Sequence, residues 1–151
     1  MGAVPAPGAT GRGFGRLLVT VYGVLGFAAT GRSAYQVATK LDEAPAAYLL
    51  SLLAAVVYVV ATVALAGGGR GRWRVVAWCA VLVEAVGVVL VGVLSVAVPE
   101  LFVEATVWSA FGKGYGYVPL VLPFVGLWWL WHTRPGQHAP VTAPDEPTEA
   151  R

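Results

Sequence analysis

Hydrophobic positions in this chain do not alternate with polar ones. They run together in four blocks, over about residues 17–38, 46–65, 75–98 and 118–131, separated by short polar breaks. A helix rises about 1.5 Å per residue, so crossing a hydrocarbon layer of about 30 Å takes about 20 mostly apolar residues. The blocks lack the apolar–polar alternation of a barrel strand. Backbone groups in lipid must bond within their own segment, so the pattern predicts helices.

The breaks agree with that reading. The run Gly67-Gly68-Gly69-Arg70-Gly71-Arg72 predicts a tight exposed turn. Asp42 and Glu43 ahead of Pro45 suit the start of the second helix, where negative charge and a missing N–H are both tolerated. Pro99 opens a further short segment in which Glu100 and Glu104 lie one turn apart and Leu101, Ala105 and Trp108 share another face. That spacing predicts a small amphipathic helix over about 99–109, lying at the membrane interface. The fourth block carries Pro119 at its start and Pro123 one turn later, where a kink is expected.

The resulting expectation is an all-α polytopic membrane protein: a four-helix transmembrane bundle with a short interfacial helix before the last span. The transmembrane domain is expected over 14–132. Residues 1–13 and 133–151, rich in Gly, Pro, Ala and Thr, are expected as disordered cytoplasmic tails.

Composition sharpens the class. Of 151 residues, 58% are hydrophobic and 12% charged, against about 25% charged in a typical soluble domain. A water-facing surface cannot be covered with so few. The net charge of +2 is too small to argue for nucleic acid. One cysteine, Cys79, rules out an internal disulfide and reads as a small apolar residue.

Basic residues set the orientation. Arg12, Arg16, Arg70, Arg72, Arg74, Arg134 and Arg151 fall on one side of the four blocks, and Arg32, Lys40 and Lys113 on the other. The positive-inside rule then places both termini in the cytoplasm. Trp73, Trp78, Trp128, Trp129 and Trp131 gather at the same end as the arginines, and Trp108 stands alone at the other. The rival reading takes Arg12 and Arg16 with residues 17–27 as a cleaved signal peptide, which leaves three crossings.

Glu84 is the sharpest candidate for chemistry. It sits near the middle of the third block, where an ionisable group costs on the order of 2.5–3.5 kcal/mol on insertion scales. Ala77, Ala80 and Gly87 share its face and let another helix approach closely. The carboxyl needs a cation or a hydrogen bond there. Arg32 is the cation expected to pair with it, and Tyr22, Tyr58, Thr20 and Thr62 are the alternative donors. Two roles are open: a proton- or cation-coupling carboxylate, or a structural glutamate that fixes helix register. Arg70, Arg72 and Arg74 are candidate contacts for lipid headgroups.

Other motifs carry less. The stretch 111–117 is glycine-rich with Lys113, but it lacks the pattern of a phosphate loop and reads as a close backbone approach. His132 and His138 lack acidic or thiolate partners, so neither a metal site nor a cofactor is expected. No catalytic constellation is present in the sequence, and no enzyme activity is expected. Partners are membrane lipids and a second copy or another membrane protein, without nucleic acid. The leading expectation is a non-enzymatic structural or accessory subunit. The alternative is a small oligomeric transporter or channel coupled through Glu84. An enzyme working at the outer interface through Glu100, Glu104 or Lys113 is the weakest class.

Two stretches, 29–40 (ATGRSAYQVATK) and 108–119 (WSAFGKGYGYVP), carry a family resemblance. With the helices between them, they resemble small four-helix integral membrane proteins of actinobacteria. That resemblance covers about residues 14–131 and implies residence in the plasma membrane. It implies no catalytic residue, because that group has no assigned activity. The chain departs from small multidrug-resistance pumps, whose coupling glutamate lies in the first helix.

Overall fold

The computed structural model describes residues 9–68 and 71–133. Among these there are four α-helices and no strand: α1 (Ala9–Lys40), α2 (Pro45–Ala66), α3 (Arg72–Ala97) and α4 (Val118–His132). Two 3-10 turns, Pro99–Leu101 and Ser109–Tyr115, lie between α3 and α4. The helices over Arg12–Lys40, Pro45–Ala66 and Arg72–Ala97 are long and apolar enough to cross a membrane. α4 is apolar but has only 15 residues.

Small residues decide which helices touch. On α1, a Cβ at Gly26 would lie 3.4 Å from Val59 and one at Gly23 would lie 3.6 Å from Thr62. Ala29 and Ser33 continue that face of α1, and Ala54, Ala55 and Ala61 lie buried on α2. Helices packed through such residues come close enough for backbone-to-side-chain contact along their length. α4 closes the bundle. Its Gly126 sits against Val81 of α3 and Tyr22 of α1, and Trp128 meets Phe14 edge-on at 5.9 Å.

α4 stays helical through the buried Pro123. Its last carbonyls are satisfied by Arg74, which donates to Thr133 O at 3.0 Å and to Leu130 O.

Unlike a soluble bundle, the helices are apolar on their outer faces as well as in the core. The buried set includes Ser33, Gln36, Ser51 and Glu84, while Phe27 is 85% exposed and Val24 and Val86 are each 63% exposed. Leu53, Val56, Val60, Val83, Leu90, Val93 and Phe124 also face outward.

Several expectations need correction. Helix α1 begins at Ala9, so residues 9–13 are helical rather than tail; 1–8 and 134–151 lie outside the described residues. Residues 99–109 do not form one amphipathic helix. Only Pro99–Leu101 turns as a short 3-10 element, and the chain from Phe102 to Trp108 is irregular. Trp108 is 2% exposed, inside the bundle rather than at the interface. The reason is a slot on α3: a Cβ at Gly87 would lie 2.6 Å from the Trp108 ring, and one at Gly92 would lie 2.5 Å from Phe111. Two glycines leave room for two aromatic rings, and burying them outweighs a regular helix in the connection.

Candidate functional site

The site forms where α1, α2, α3 and the segment after α3 meet. Tyr22, Tyr58 and Glu84 are each fully buried, and Trp108 is nearly so. Tyr22 Oη donates to Glu84 Oε2 at 2.6 Å, a short bond of the kind a hydroxyl makes to a carboxyl oxygen. Trp108 Nε1 donates to Tyr58 Oη at 3.0 Å. The two tyrosine rings lie 6.3 Å apart and are tilted by 52°. One buried polar cluster therefore touches α1, α2, α3 and the segment that follows α3. Glu84 Oε1 has no hydrogen-bond partner among the described residues.

Arg32 is not the partner of Glu84. It is exposed, and its Nη2 donates to the carbonyl of Ala105 at 3.2 Å. Ten residues separate Tyr22 from Arg32, about 15 Å along a helix, and only Tyr22 reaches Glu84. Of the other donors considered, Thr62 bonds back to Tyr58 O at 2.7 Å and Thr20 to Arg16 O at 2.9 Å, each within its own helix. Tyr58 belongs to the cluster but accepts from Trp108.

The segment carrying Trp108 is fixed by side-chain bonds to backbone. Thr106 N–H donates to Ser109 Oγ at 2.9 Å, and Trp108 N–H to Thr106 Oγ1 at 3.2 Å. Ala110 N–H donates to Ser95 Oγ of α3 at 2.8 Å, and Ser95 Oγ itself donates to Gly92 O at 2.9 Å. These bonds hold Ala110 and Phe111 at φ of 47° and 60°, a left-handed backbone that L-residues avoid at a cost of about 1–2 kcal/mol each. Gly112 follows at φ 79°, and a Cβ there would lie 2.7 Å from Pro119. The close approach expected of the glycine-rich stretch is found at that residue. Trp108 belongs to the cluster although the sequence pointed elsewhere. The available signal was Gly87, whose missing side chain is the notch that takes the indole.

The headgroup candidates separate. Arg72 is exposed at the start of α3, Arg74 is engaged with the end of α4, and Arg70 lies outside the described residues. Cys79 is exposed on the outer face. His132 Nδ1 lies 2.9 Å from Trp128 O, and His138 lies outside the described residues. Among the described residues no group of three metal-ligating side chains converges. Comparison of the chain with protein-family models, curated proteins and solved structures finds no match.

Proposed function

We propose that this chain is a multi-pass protein of a bacterial plasma membrane, with both termini cytoplasmic, acting as a non-enzymatic structural or accessory subunit. The observation that carries the membrane part is the apolar outer surface, with Phe27, Val24 and Val86 exposed while Glu84, Ser33 and Ser51 are buried. A water-soluble surface does not tolerate so large an apolar belt. In this reading α4 is a fourth crossing. Its 15 residues reach about 22 Å. Packing of Trp108 and Phe111 along α3, with Gly112 on Pro119, supports the view that residues 106–117 complete the rest of the thickness. Irregular backbone at that depth is acceptable when protein surrounds it.

The structural role rests on the Tyr22–Glu84 bond. Glu84 is fully buried and lines none of the main surface clefts among the described residues. Its hydrogen bond joins α1 to α3, an arrangement suited to fixing helix register.

The transporter reading keeps one observation in its favour, the unpartnered Glu84 Oε1. Reconstitution into vesicles under a pH gradient separates the two. The structural role predicts equal, background proton flux for the wild type and Glu84→Gln. Flux well above background that the substitution abolishes would favour transport.

A further inference from the structure

At the end of the bundle where α1 begins and α4 ends lies a cleft of about 700 Å³. Its walls include Arg12 and Arg16 of α1, Leu65 of α2 and Trp129 of α4. The two arginines are one helical turn apart and exposed, so both guanidinium groups can address one ligand. Neither is in an ion pair with a described residue. The Trp129 indole N–H is buried and finds no acceptor among the described residues. Its ring covers Gly15, where a Cβ would lie 2.8 Å away. The cleft thus joins two cations outside any described ion pair to an apolar wall.

Charge around it is one-sided. The described residues at this end include Arg12, Arg16, Arg72 and Arg74 but no acid. Asp42, Glu43, Glu100 and Glu104 belong to the opposite end. Arg74 is already engaged with the α4 carbonyls. A zwitterionic headgroup would bring an ammonium with no carboxylate among the described residues to receive it. A phosphate with no compensating cation suits the paired guanidinium groups, which bind phosphate oxygens through parallel N–H donors. The apolar wall of Val19, Leu65 and Ala66 suits the start of an acyl chain.

We propose that this cleft binds one anionic phospholipid, its phosphate held by Arg12 and Arg16. The site rests on the membrane reading above. Native mass spectrometry of the full chain, purified in detergent and offered phosphatidylglycerol and phosphatidylcholine in equal amounts, tests it. The wild type is expected to retain phosphatidylglycerol at least tenfold over phosphatidylcholine. Arg12→Gln with Arg16→Gln should weaken phosphatidylglycerol binding about thirty-fold, the equivalent of about 1 kcal/mol for each charge. Arg72→Gln, outside the cleft, should leave binding unchanged.

Equal retention of the two lipids, an undiminished preference in the double variant, or an equal loss in Arg72→Gln overturns the site. Displacement of the lipid by inorganic phosphate at equal concentration would assign the cleft to a soluble anion instead and also overturns it. The same variants are followed by membrane sedimentation. Loss of both wild type and double variant from the membrane fraction would overturn the membrane reading rather than the lipid site alone.

Discussion

Tyr22 and Glu84 show how little freedom a buried carboxyl has: its partner must match it in depth and in direction around the helix. Depth was legible, because Glu84 is the lone charge in a long apolar block. The partner's depth was not: Arg32 lies ten residues beyond Tyr22, about 15 Å along α1, and only the packing of the helices shows which of the two is level with the carboxyl. A double-mutant cycle decides between them. Tyr22→Phe and Glu84→Gln should couple by about 1 kcal/mol or more in unfolding from detergent, whereas Arg32→Gln and Glu84→Gln should be additive within about 0.5 kcal/mol. Gly87 is a second residue-scale test. Alanine there places its Cβ 2.6 Å from the Trp108 ring, and the overpacking should cost about 1–3 kcal/mol of the same stability.

The four helices were readable as elements because each apolar block ends at a glycine, proline or charge. Observed bounds of Pro45–Ala66 and Arg72–Ala97 lie within three residues of those read from the pattern. The connection between α3 and α4 was not readable. Glu100 and Glu104 one turn apart imitate an amphipathic helix, but the local pattern carries no record of the slot at Gly87 and Gly92. Nor does it announce left-handed backbone at Ala110 and Phe111, where glycine would be the expected residue. That strain has a measurable sign. Ala110→Gly should stabilise the protein by about 1 kcal/mol in thermal or denaturant unfolding, because it removes the left-handed penalty at an incompletely buried side chain. Ser95→Ala should destabilise it by about 1–3 kcal/mol, because the Ala110 N–H loses its acceptor.

At the scale of the molecule, the sequence already placed apolar surface in excess. The structure adds where that surface goes: outward along the helices, while Glu84, Ser33 and Ser51 are enclosed. The cleft shared by Arg12, Leu65 and Trp129 puts the start of α1 and the ends of α2 and α4 at one end of the bundle. With the proposed orientation, a reporter inserted between α2 and α3 should report the cytoplasm, and one in the 41–43 turn the opposite side. The most direct test of the whole account is alkaline carbonate extraction of membranes from cells making the untagged chain. The account predicts that the protein stays in the pellet after high-speed centrifugation and leaves it only with detergent. Recovery in the supernatant without detergent would contradict it.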